Sequence, residues 1–233
     1  MPPSLARWHI HANADALNTA VADAVVGAIS EANVSRGQAL IAVPGGKTPG
    51  PIFADLATRD VNWLQVTLIP GDERLVAADS PLCNHTLISQ LFSPLGATVP
   101  SLIDGPREKT AAAVAANARL EALNWPADLI WLGMGADGHT ASIFPGPDLH
   151  QSISSDKHFA GVTPDPLPAE APVSRVTLTG REIARARTLM VVITGSAKRM
   201  VLEAALREGE ASPYPIGPVL AGASSVDIHW LAD

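Results

Sequence analysis

The sequence predicts an α/β fold: a doubly wound, mostly parallel sheet flanked by helices. Three observations carry that prediction. Short β-rich apolar runs recur along the chain, several of them apolar at consecutive positions, as strands covered on both faces are. Segments with helical spacing separate them, which is the pattern of βαβ units. Thr48-Pro49 and Ser80-Pro81 stand just beyond strand ends, each offering a hydroxyl N-cap followed by a proline suited to the first helical position.

In chain order, Ala14, Leu17, Val21, Ala24, Val25 and Ala28 recur at helical spacing, and Ala39–Val43 is the first predicted strand. A helix is predicted to start at Thr48-Pro49, a strand over Val66–Ile69, and a second helix start at Ser80-Pro81. The alanine-rich 111–118 stretch is helix propensity, and Ala113, Ala116, Leu120 and Leu123 give that helix its stripe. Leu129–Leu132 is the next strand. The proline-rich 145–172 stretch is expected to be an excursion over one edge of the sheet, because Ser174–Leu178 and Leu189–Ile193 are needed to complete it. Val201, Leu202, Ala205 and Leu206 then form a helical stripe. Val226–Leu231 alternates apolar and polar residues, as a terminal edge strand does.

The chain has 233 residues, 47% hydrophobic and 17% charged, and is expected to form one domain over residues 1–233. Sixteen Lys and Arg against 23 Asp and Glu give a net charge of −7, the wrong balance for general nucleic-acid binding. A few cations in one cleft can still oppose that sign. The single Cys83 cannot form an internal disulfide and fits a reducing, cytoplasmic setting. Pro2, Pro3 and Ser4 follow Met1 in place of a basic leader, and no apolar run approaches the ~18–20 residues of a membrane span. The expectation is therefore neither secretion nor a membrane partner.

Three segments can carry chemistry. Val43-Pro44-Gly45-Gly46-Lys47-Thr48-Pro49 runs from a strand into a helix, with glycines permitting close approach and Thr48 adding a hydroxyl, so it suits a phosphate or is simply a tight capped turn. It is not a nucleotide P-loop, which requires glycine where Ile41 stands. Gly71-Asp72-Glu73-Arg74 can hold sugar hydroxyls, a water or an anion, or can be a solvated charged turn. In the third segment, 132–142, Gly133, Gly135 and Gly138 match a dinucleotide fingerprint. Pro145, Gly146 and Pro147 cut short the long helix such a site needs. His139 in that turn can serve as a base near neutral pH with Asp137 to orient it, or as a structural histidine. Arg175 and Lys198 are surface cations by default, but in a parallel sheet Lys198 falls at the same end as Lys47, Arg74 and His139.

Taken together, VPGGKTPGPIF at 43–53, GDERLVAADSPLCNHTLI at 71–88, DLIWLGMGADGHTASIFPG at 128–146, RVTLTGREIARARTLMVVITGSAKRMVL at 175–202 and the closing VDIHWLAD resemble the 6-phosphogluconolactonases of the pentose phosphate pathway. GMG-x-DGHTAS followed by FPG is the most specific match. The resemblance implies a Rossmann-like fold of the sugar-phosphate isomerase/lactonase type. It also implies hydrolysis of 6-phospho-D-glucono-1,5-lactone with neither metal nor organic cofactor, and a small phosphosugar lactone as the partner; monomer and homodimer both stay open. By resemblance His139 is the general base, Asp137 supports it, and Arg74 orients substrate or offsets developing charge. Gly45, Gly46, Lys47, Thr48, Arg175 and Lys198 grip the 6-phosphate, with Asp72 and Glu73 assigned to substrate as well. The chain departs from the pattern at Lys47 and Cys83, each in place of a usual serine, and at Gly180-Arg181 and Ala184.

Three alternatives compete with this reading. A glucosamine-6-phosphate deaminase typically has Asp-Glu-Tyr and a loop running on to Phe-Asn-Glu-Pro, whereas Arg74 and Ile143-Phe144-Pro145-Gly146 stand here. A non-catalytic sugar-phosphate sensor on the same fold, as in some transcription regulators, would normally bring a helix-turn-helix, for which the 38 residues before Ala39 leave little room beyond one amphipathic helix. A dinucleotide oxidoreductase rests on the glycine pattern alone.

Overall fold

The computed structural model describes residues 6–46, 48–104 and 108–233; Lys47, assigned to the phosphate, and Met1–Ser4, read against a leader, lie outside them. Six strands form one wholly parallel sheet: β1 (Ala6–His11), β2 (Ala39–Val43), β3 (Val66–Pro70), β5 (Leu129–Leu132), β8 (Thr188–Thr194) and β9 (Val226–Leu231), in the order β1-β9-β8-β5-β2-β3. A second, antiparallel sheet joins β4 (Asp72–Arg74), β7 (Arg175–Leu178) and β6 (Phe159–Val162) in that order.

The consecutive apolar runs are explained by burial on both sides. Successive strand residues point to opposite faces. Ile41, Val43, Leu129, Trp131, Met190 and Val192 pack with α1 (Ala14–Arg36), α2 (Gly50–Leu56) and α3 (Asn84–Phe92). Their neighbours Leu40, Ala42, Ile130, Leu132, Val191 and Ile193 pack on the other face, with α4 (Lys109–Leu120), α7 (Ser196–Glu208), α8 (Ile216–Ala221) and the small sheet. The fold is thus doubly wound, as the sequence predicts. Among the described residues, no helix is long and apolar enough to cross a membrane.

Several elements differ from expectation. Val226–Leu231 is not an edge: β9 lies between β1 and β8, and β1 takes the edge. The edge strand ARWHIH holds only exposed and half-buried residues, so it lacks the buried apolar run that marks the central strands. The residues before Ala39 therefore hold a strand as well as a helix. Arg175–Leu178 does not complete the parallel sheet; it pairs antiparallel with β4 and β6. The 145–172 stretch is more than an excursion, supplying α5 (Leu149–Ser154) and β6. Neither Ser/Thr-Pro pair caps a helix: α2 begins at Gly50, and Ser80-Pro81 lies in a turn before α3, which begins at Asn84. α6 (Gly180–Ala184) is a short helix capped by Thr179, whose hydroxyl accepts from Glu182 N at 3.2 Å.

Candidate active site

The segments leaving the C-terminal ends of β2, β3, β5 and β8 meet on one rim of the parallel sheet and enclose a cleft of about 850 Å³. Open α/β sheets gather ligands at this rim because outgoing loops diverge there. Gly45, Gly46, Thr48, Asp72, Arg74, His139, Arg175 and Lys198, far apart in sequence, all line it. Lys47 lies outside the described residues. Arg181 is exposed on α6 and is not part of the lining.

The loop after β5 is built around a histidine. Gly135 N donates to His139 O at 2.9 Å and Gly138 N to Gly135 O at 3.1 Å, closing a tight turn. His139 Nδ1 donates to Asp137 Oδ1 at 2.6 Å, and His139 N reaches the same oxygen at 3.2 Å. A carboxylate only accepts, so Nδ1 carries the proton in the neutral ring and Nε2 keeps its lone pair. A Cβ on Gly135 would stand 2.2 Å from His139 Nδ1 and 2.5 Å from Asp137 Oδ1, so glycine is what leaves space for the pair. The imidazole also stacks on the Phe144 ring, with centroids 4.2 Å apart and planes 24° apart.

Joined to this turn through Phe144 is a buried polar network. Ser142 Oγ donates to Asp72 Oδ2, and Arg175 Nη1 donates to Ser142 Oγ at 3.3 Å. Arg175 Nη2 donates to Ala171 O at 3.1 Å, while its guanidinium lies 4.9 Å from the Phe144 ring centroid. Burial holds the Arg175 guanidinium below its usual range, against the pull of Asp72. Arg74 Nη1 donates to Leu82 O at 3.0 Å, and its Nε lies 3.9 Å from Asp72 Oδ2. The Nε atoms of Arg74 and Arg175 are both buried without a hydrogen-bond partner among the described residues. Lys198, on the first turn of α7, has no ion-pair partner among the described residues. Cations thus concentrate in one cleft of an acidic protein.

Glu73 does not line the cleft. Wholly buried behind its wall, it accepts from Arg74 N at 2.8 Å, Asn84 N at 2.9 Å and His85 N at 2.7 Å, capping the first turn of α3. Burial pushes its carboxyl up, and the three N–H groups oppose that rise. Asn84 Nδ2 in turn donates to Asp72 O at 2.8 Å, and a Cβ on Gly45 would stand 2.0 Å from Asn84 Oδ1. The glycine turn therefore rests on α3.

Sequence reasoning did not single out Asn84, Ser142, Phe144, Glu170 or Ala171, which the fold brings to the cleft or directly behind it. Ser142 and Phe144 sit inside the quoted histidine segment, so a signal for them was present. Glu170 and Ala171 belong to the proline-rich stretch and carried none. Among the described residues, no group of three or more His, Cys, Asp or Glu side chains is disposed to hold a metal ion.

A family model described as glucosamine-6-phosphate isomerases/6-phosphogluconolactonase matches residues 12–230. A curated 6-phosphogluconolactonase from Rhizobium meliloti is 36% identical, covering 97% of this chain and 98% of its own. One from Neisseria meningitidis is 33% identical, covering 91% and 93%. Among solved structures, a 6-phosphogluconolactonase from Shewanella baltica superposes with a TM-score of 0.90 at 28% identity, covering 99% of this chain and 100% of the other. On the strength of both sequence and fold, the chain belongs to the glucosamine-6-phosphate isomerase/6-phosphogluconolactonase family.

Proposed function

We propose that this chain hydrolyses 6-phospho-D-glucono-1,5-lactone to 6-phospho-D-gluconate, with His139 as the general base. The observation that carries the reading is the Asp137–His139 pair opening into a cleft whose other walls bring Arg74, Arg175 and Lys198 together. With Nδ1–H held by Asp137, His139 Nε2 takes a proton from water as the oxygen attacks the lactone carbonyl. The negative charge then developing on the carbonyl oxygen is met by Arg74. Collapse breaks the bond to the ring oxygen, which leaves as the C5 hydroxyl after taking the proton back from the imidazolium. Water and lactone become the open-chain acid, and Asp137 stabilises the transient imidazolium throughout.

Gly45, Gly46 and Thr48 with Arg175 and Lys198 hold the 6-phosphate, and Asp72 keeps the Arg74–Arg175 pair in register through Ser142. Glu73 serves by capping α3. The deaminase reading is disfavoured because the residues after the histidine turn supply no glutamate, and Ile143 is fully buried.

The test follows lactone formed in situ by oxidising glucose 6-phosphate. Its disappearance is expected to outpace spontaneous hydrolysis, and His139→Ala should lose most turnover while still binding 6-phosphogluconate. Arg175→Ala and Lys198→Ala should chiefly raise KM. No acceleration at micromolar enzyme removes the assignment; near-normal turnover in His139→Ala removes the base.

A further inference from the structure

Phe144 has no place in the chemistry above. Its ring is half-buried and is not part of the cleft lining, yet it touches two residues that are. The His139 imidazole stacks on it with centroids 4.2 Å apart, and the Arg175 guanidinium carbon lies 4.9 Å from its centroid. The two partners depend on the ring unequally. Arg175 is also fixed by Ser142 Oγ and Ala171 O and is 96% removed from solvent. The His139 side chain is 30% exposed, and among the described residues its one side-chain hydrogen bond is to Asp137, itself half exposed. One such bond fixes a ring atom but leaves the ring free to swivel about it. A stacked aromatic face removes that freedom, because tilting the imidazole loses contact over the whole ring.

We propose that Phe144 is a positioning residue for the reaction: an aromatic platform that fixes the plane of the His139 imidazole, and with it the direction of Nε2 into the cleft. The proposal rests on His139 acting as the base. A base directed about 1 Å astray can cost up to ~100-fold in rate without weakening ground-state binding. Because Arg175 keeps its other partners, the effect falls on turnover and not on substrate capture.

The experiment compares Phe144→Leu, Phe144→Met and Phe144→Tyr with the unaltered protein. Lactone hydrolysis is expected to show kcat reduced about 10- to 100-fold in the Leu and Met variants, with KM within about threefold and the Tyr variant restored to within about threefold. In parallel, the His139 ring protons are followed by NMR without substrate, assigned by their loss in His139→Ala. They should move downfield when the shielding ring is removed and stay in place in Phe144→Tyr. The met variant stands in for Leu should Leu not fold. Unchanged kcat, an equal rise in KM, or no rescue by Tyr overturns the proposal, as do ring-proton shifts indifferent to residue 144. If the unaltered protein shows no lactonase activity, the functional reading fails by itself, while the ring-proton shifts still report whether Phe144 holds the imidazole.

Discussion

At the scale of single residues, the site depends on atoms that are absent as much as on those present. Gly135 has no Cβ where one would collide with both His139 Nδ1 and Asp137 Oδ1. Gly135→Ala is therefore expected to separate the pair and lower kcat at least 100-fold, towards the level of His139→Ala. The loss of global stability should be small, because Asp137 and His139 are partly exposed and can swing into solvent. Steady-state kinetics alongside thermal unfolding checks this; a variant with normal kcat would show that the pair is not needed. His139, Asp137 and Gly135 were legible in the sequence because they fall within ten residues of one strand end. Ser142 and Arg175 are 33 residues apart, so their hydrogen bond follows no local pattern.

At the scale of elements, Glu73 shows how one residue type serves two ends. Its neighbours Asp72 and Arg74 face the cleft, while alternation along β4 turns Glu73 to the opposite side, onto the first turn of α3. Glu73→Gln replaces an acceptor-only group by an amide whose NH2 must face a backbone N–H. The expected cost is about 1–2 kcal/mol, the desolvation of the lost charge offsetting part of the lost bonds and dipole interaction. Urea unfolding should read the loss, and hydrogen exchange should rise at Asn84 and His85. Unaltered exchange at both amides would refute the capping role. The sequence presents Asp-Glu-Arg as one charged triplet; that it is a strand dividing its side chains between two environments is visible only once β7 pairs with it.

At the scale of the whole molecule, the edge of the parallel sheet carries a pH-sensitive seam. β1 and β9 stack His9 and His11 on His229, with ring centroids 4.6 and 5.2 Å from it, and Asp227 accepts from Arg7 at 2.6 Å and His9 at 2.8 Å. Burial, then the charges of His9 and His11, lower His229 to about 4. The folded state thus resists a proton that the unfolded chain accepts near pH 6.5, so the contribution is complete above that pH and is lost as pH falls from about 6.5 to about 4. The amount lost is of the order of 3 kcal/mol. His229→Phe should flatten the stability profile between pH 7.5 and 4.5 relative to the unaltered chain; parallel profiles would discount the seam. Sequence by itself determined the central strands and the doubly wound class, because burial on both faces writes itself as consecutive apolar residues. It also determined the histidine turn, whose chemistry is local. Tertiary structure alone decided the antiparallel pairing of β4, β6 and β7, the edge position of β1, and the meeting of Asp72, Ser142, Phe144 and Arg175. Those depend on which distant segments come together, and pairing between distant strands leaves little periodic trace in either partner.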